Sequence, residues 1–285
     1  MSHRPKIVPA YLGMGAYAAA VQTSPGAHLE ELWQEYAIQP YWEAWAAGQW
    51  NEKRLKEQYQ RPFPNVETLS QEVQLLATSG VEKLIEHAYE QIAAALPPSV
   101  ANPVICVNAL DPANNFVRER MGGVVGSGVG DNTLLEINPL APGWQDWVPY
   151  VLAHEHHHSV WGYNYFNLQG HRSADLLTGL LIDGQADSFA RHLYPSMEPP
   201  WINALNSLQK AELWKRLTPW LDNPDPDLLA KVMFGNEEFE IPRWTGYTLG
   251  YRIVQAYLEA HSGSSPLDLL GKEAHAILVE SGYKA

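Results

Sequence analysis

Cysteine is almost absent: the 285-residue chain holds one, Cys106. A single thiol forms no intrachain disulfide, so the fold must rest on its packed core rather than on covalent staples. Cys106 lies inside Val104-Ile105-Cys106-Val107, where a lone cysteine reads as an inert core residue. Long apolar runs are missing too. No window reaches about 18 uninterrupted apolar residues, so no membrane-spanning helix is expected. Residues 1–20 carry Arg4 and Lys6, but Pro9, Gly13 and Gly15 interrupt the stretch where an apolar run would have to lie. No secretory signal is read there, and the cytoplasm is the expected compartment. Positive charge is scarce, with 19 Lys and Arg against 32 Asp and Glu and a net charge of −13. Without a basic stripe, a nucleic-acid partner is disfavoured. The acidic balance favours solubility and mildly attracts cations, metal ions included.

What the chain does have is a globular composition: 46% apolar and 18% charged residues, far from the signature of disorder. Residues 27–60 read as helical, with Trp33, Tyr36, Trp42 and Trp45 spread along them, until Pro62 and Pro64 stop the pattern. A second long helical stretch is expected over 65–96, where Val73, Leu76, Val81, Leu84, Ile85 and Tyr89 recur at helical spacing. Residues 1–100 therefore read as a helical N-terminal lobe, and 101–285 as the domain that carries the chemistry.

The character changes after Pro97-Pro98. Residues 103–110 are short, apolar and β-branched, which predicts a buried strand. Residues 132–138 (NTLLEIN) read as another, and between them 122–130 (GGVVGSGVG) form a glycine-rich strand or turn. The glycines are not followed by the Lys-Ser/Thr of a phosphate loop and lack the acidic residue of a dinucleotide fold. They read as a strand with a glycine turn or bulge, or as backbone kept bare for a peptide to approach the sheet. Helices are expected over 144–160, 171–194, 198–220, 226–234, 244–260 and 266–280. The fold class is α+β, predominantly helical, with a small β-sheet.

His154, Glu155 and His158 form H-E-x-x-H inside His154-Glu155-His156-His157-His158. On a helix, positions four apart lie about 40° apart around the axis and one turn along it, so both imidazoles can bind one ion. Glu155 is placed to reach water at that ion without ligating it. The bland alternative is a chance match in a histidine cluster. Downstream, Asp183 and Asp187 are again four apart and share a face with Leu176, Leu180 and Ala190. Two carboxylates on an apolar face make sense if Asp183 ligates the ion and Asp187 accepts a hydrogen bond from a ligand histidine. Catalytic zinc takes three protein ligands and leaves one position open, and His154, His158 and Asp183 satisfy that count. A simple inter-helix carboxylate pair is the competing reading. His171 and His192 read as surface or packing residues.

Three segments in order, 153–158 (AHEHHH), 183–190 (DGQADSFA) and 244–254 (WTGYTLGYRIV), resemble the DUF2268 family of predicted zinc-dependent proteases over roughly residues 100–260. That family is similar to gluzincin metallopeptidases. The resemblance implies a zincin-like core, a zinc cofactor and a peptide or protein substrate. It also implies a third ligand on the downstream helix with an Asp four residues later. The third ligand is Glu in gluzincins and Asp183, one methylene shorter, here. A Tyr outside the metal motif assists the oxyanion in gluzincin-like sites, which points to Tyr247 or Tyr251, Tyr247 being the assignment carried forward. The competing reading is that Gly246 and Gly250 permit close helix packing while the tyrosines fill the core. The expected function is zinc-dependent peptide hydrolysis with Glu155 as general base, 132–138 offering a sheet edge to the substrate. The alternative is an inactive zincin-like module that binds a protein partner.

Overall fold

The computed structural model describes residues 4–24, 28–45, 53, 56–57, 59, 61–129 and 132–284. The chain divides into two compact units, Met1–Ser159 and Val160–Ala285. The architecture is predominantly helical α+β, with one four-stranded mixed sheet among the described residues.

The first unit is built on that sheet. Its strands are β1 (Lys6–Val8), β2 (Val104–Ala109), β3 (Val124–Val129) and β4 (Asn132–Ile137). Their order is β1-β2-β4-β3. β1 and β4 flank β2 in parallel, with Ile7 opposite Ile105 and Leu135 opposite Val107. β3 runs antiparallel to β4, with Gly126 opposite Leu135. β1 is absent from the sequence reading, since three residues are too few for a period to show. The order also corrects the expected edge. β4 lies between β2 and β3 and spends its hydrogen bonds on both, so residues 132–138 offer no edge to a substrate. The physical reason is that β3 returns directly into β4 as an antiparallel hairpin, while the apolar β2 takes β4's other side. The glycine-rich β3 becomes the outer strand.

Helices pack around this sheet. α1 (Tyr11–Thr23) comes after β1; α2 (Leu29–Leu32), a π-helical turn (Trp33–Ile38) and α3 (Gln39–Trp45) come next. The rest of the helix expected over 27–60 falls largely outside the described residues. Trp33 is fully buried and donates its indole N–H to the Tyr59 carbonyl at 2.9 Å. The single helix expected over 65–96 is two, α4 (Val66–Ser79) and α5 (Val81–Ala95). Gly80 breaks it by adopting a left-handed conformation with φ +75°, which costs glycine little. Asn65 starts α4 by accepting from the Thr68 amide. α6 (Asn115–Arg120) comes after β2. Cys106 is fully buried with Val8, Ala10, Tyr59 and Leu134. Burial pushes its thiol well above the ordinary range, as the inert-core reading requires.

α7 (Trp144–Gly162) carries the histidine cluster and passes into a second π-helical turn, Tyr163–Leu168. The second unit then contains α8 (Leu176–Leu193), α9 (Ser207–Leu217), α10 (Pro226–Phe234), α11 (Thr245–Ala260) and α12 (Ala274–Ser281). Short 3-10 turns at Pro200–Asn203, Thr218–Trp220 and Pro266–Leu269 replace the ends of the helices expected over 198–220 and 266–280. α8 starts at Leu176 rather than 171, because Asp175 caps it by accepting from the Thr178 amide. α8 and α11 pack backbone to backbone. A Cβ on Gly184 would lie 2.3 Å from the Gly250 carbonyl carbon, and one on Gly250 would lie 1.9 Å from the Leu180 carbonyl oxygen. Leu180, Leu181, Leu249, Ile253 and Val254 line this contact in the unit's core. Among the described residues, no helix is long and apolar enough to cross a membrane.

Candidate metal centre

α7 turns a run of polar side chains inward. His154, Glu155, His156 and His157 are buried, while His158 is partly open. The i, i+4 spacing does what helical geometry predicts. Nε2 of His154 and Nε2 of His158 face each other at 2.9 Å, with ring centroids 4.5 Å apart. With both rings neutral, one nitrogen donates and the other accepts. Both are therefore aimed at a common point.

Glu155 projects toward β3. A Cβ on Gly126 would lie 2.3 Å from Glu155 Cγ and 2.8 Å from its Oε1, and one on Gly128 would lie 3.9 Å from Oε2. The glycine-rich strand therefore has a local cause. Its backbone is bare at Gly126 because the Glu155 side chain occupies the space where a Cβ would go. That cradle holds a carboxylate one residue along from His154.

The two middle histidines play other parts. His156 donates through Nε2 to the Leu96 carbonyl at 2.8 Å and meets Tyr89 edge-on. This ties α7 to the end of α5. Burial holds the His156 imidazole below its ordinary range, and the Leu96 hydrogen bond acts the other way. His157 is fully buried. Sequence reasoning sets both aside, and for His156 the structure adds a packing role that only the three-dimensional neighbour Leu96 reveals.

The second unit holds the remaining residues singled out in the sequence. Asp183 is half-buried on α8, and Asp187, one turn on, is fully buried. Both Asp187 oxygens accept from the Trp201 indole N–H, at 3.1 and 3.0 Å. Sequence reasoning misses Trp201. It sits 14 residues downstream in a 3-10 turn, with no periodic relation to Asp187. On α11, the two tyrosines part company. The buried Tyr251 accepts a hydrogen bond from Arg191 Nη1 at 2.8 Å. Tyr247 is half-buried, its ring 6.3 Å from that of Phe234. Gly246 and Gly250 do permit close packing, against Met233 and Leu180 respectively. Of the spare histidines, His171 stacks on Tyr165 with centroids 4.0 Å apart and His192 is exposed.

The residues present suit a metal ion. Two imidazole nitrogens already converge within the span of one ion's coordination shell, and a neighbouring carboxylate is held beside them by a strand without side chains at that point. Imidazole nitrogen is a donor that zinc accepts, and the Glu155 carboxylate lies beside the pair without being one of the donors. The chain belongs to the DUF2268 family, described as predicted Zn-dependent proteases, whose model matches residues 81–279. No curated protein and no solved structure matches the chain.

Proposed function

We propose that this protein is a zinc-dependent peptidase with a zincin-like core, in which His154, His158 and Asp183 hold the metal. The observation that carries the reading is the 2.9 Å approach of the two Nε2 atoms beside a carboxylate on the same helix. The family's description supports it. Bound there, zinc would supply Lewis acidity, bringing the pKa of water to roughly 7 and polarising a carbonyl.

The chain's own residues do the rest. Glu155 accepts the proton of the attacking water and delivers it to the leaving amine. Gly126 leaves its carboxylate room to pivot between those two positions. Asp187 accepts the remaining ring N–H of a ligand histidine, fixing the tautomer that aims Nε2 at the metal. Tyr247 donates to the developing oxyanion. The substrate is a peptide in extended form that pairs along β3, an edge strand of the sheet. This chemistry is assigned to residues 101–285, and residues 1–100 form a supporting lobe that lends β1 to the sheet.

Hydrolysis of a mixed peptide library by wild type and Glu155→Gln tests the mechanism. Loss of general-base catalysis lowers turnover by about 100- to 10,000-fold, with zinc content unchanged. Equal turnover in the two proteins rules the mechanism out. Stoichiometric zinc with no cleavage of any peptide favours instead a non-catalytic module that binds a protein partner. The shorter reach of Asp183 at the third-ligand position is the feature that would explain such an outcome.

A further inference from the structure

The second unit holds a cavity of about 320 Å³ lined in part by Tyr251. Arg191 and His192 from α8, Tyr251 and Gln255 from α11, and Ser188 and Ser264 contribute its polar lining. No Asp or Glu lines it among the described residues.

Arg191 is the centre of this pocket. Its Nη1 donates to Tyr251 Oη at 2.8 Å, and its guanidinium lies 5.9 Å from the centroid of the Tyr251 ring. Its Nε is buried and has no hydrogen-bond partner among the described residues. No carboxylate pairs with it there either. A second guanidinium, Arg252, lies 5.9 Å from the same ring and is bound to the neutral Asn203 side chain. A half-buried cation without a counter-ion is costly, and so is a buried N–H without an acceptor. An oxyanion in the cavity would supply the missing counter-ion. A guanidinium matches the oxygens of a carboxylate or phosphate with charge-assisted N–H donors.

The neighbouring groups complete the arrangement. Gln255 Nε2 donates to Ser188 Oγ at 2.9 Å, and Ser188 Oγ in turn donates to the Gly184 carbonyl at 2.7 Å. This chain of bonds fixes the carboxamide at the wall and leaves its second N–H available. Ser264 offers a hydroxyl at the rim. Ser265, also at the rim, is held by Asp268, which accepts from its amide at 2.7 Å and its hydroxyl at 3.2 Å. Asp268 is exposed, so water screens its charge from the pocket.

We propose that this cavity is a binding site for a small oxyanion, recognised by the Arg191 guanidinium with Gln255 and Ser264. A carboxylate and a phosphate share that chemistry, and the site is independent of the peptidase reading. Arg191 lies eight residues, about 12 Å of helix, beyond Asp183.

The test uses the full chain and two probes, inorganic phosphate and N-acetyl-dialanine, each against chloride at matched ionic strength. The amide of the second probe serves as its neutral control. Binding is followed by the chemical shift of the Arg191 Nε–H and by the thermal midpoint. Saturable binding of either probe is expected, weakened at least tenfold by Arg191→Gln. Ser264→Asp places a carboxylate at the rim without removing a buried group, and should weaken binding to the same degree. It decides the question if Arg191→Gln fails to fold. Phosphate alone binding assigns the site to phosphoryl ligands. The dipeptide acid binding, with its amide inert, assigns it to carboxylates. No saturable binding by either probe, or binding that Ser264→Asp leaves unchanged, overturns the proposal.

Discussion

Helices α7 and α8 both carry polar groups inward, and they resolve the cost in different ways. On α8 the buried groups close among themselves by packing. Asp187 is held by Trp201, Ser188 by the Gly184 carbonyl, and the helix is seated against α11 at two glycines. On α7 His156 is closed off in this way, by Leu96. His154 and His158 instead point ring nitrogens at each other, and Glu155 fills a cradle that β3 leaves bare. Polar groups that satisfy one another through neighbours hold a fold together. Polar groups converging on one point in space are suited to hold something else.

The sharpest way to break this contrast is at the α8–α11 contact. Gly250→Val drives a side chain into the Leu180 carbonyl, with backbone rather than a flexible side chain in the way. It should cost about 3 kcal/mol or more, the upper end of overpacking effects, as read by urea denaturation. A loss under about 1 kcal/mol would show that the helices can separate cheaply. Asp187→Ala comes next. It strands the buried Trp201 indole N–H, and should cost about 2–3 kcal/mol. Unchanged stability would remove Asp187 from the structural side of the comparison.

Glu72 on α4 sharpens it from the first unit. The side chain is fully buried and neither oxygen has a hydrogen-bond partner among the described residues. Burial, with the Asp111 charge adding and Arg118 opposing, raises its pKa from 4.5 to about 8. Below the lower value both folded and unfolded chains carry the proton, and stability is unaffected. Between the two values the unfolded chain releases the proton while the folded chain keeps it. Stability therefore falls as pH rises through this window, and the loss is complete above it. Glu72→Gln should abolish that slope, gaining on the order of 3–5 kcal/mol at about pH 9 and nothing at about pH 4. Denaturation curves showing the same pH slope in both proteins would contradict the assignment.

His156→Leu is the smallest change. Losing the Leu96 hydrogen bond should cost about 1 kcal/mol, with zinc content unaltered. Loss of metal in this variant would erase the distinction between the packing histidine and the liganding ones.

Much of this is legible in the chain. His154, Glu155 and His158 can be read because a four-residue spacing on one helix determines which side chains meet. The strands at 103–110 and 132–138 can be read from their apolar runs. The features that escape such reading depend on distant neighbours. Sheet order is one case: residues 132–138 look the same as an edge or an interior strand, and only pairing with both β2 and β3 decides. The Gly126–Glu155 fit and the Asp187–Trp201 bond are others, since nothing local links those positions. Gly80 is visible as a glycine but its left-handed turn is not, so two helices read as one.

The central claim is that α7's converging pair and Asp183 share one metal ion. The direct measurement is zinc bound per chain after dialysis, by elemental analysis of wild type and folded variants. The account predicts about one zinc ion in wild type, retained by Glu155→Gln and lost by His154→Ala, His158→Ala and Asp183→Ala alike. Zinc retained in full by Asp183→Ala, or absent from wild type, would contradict it.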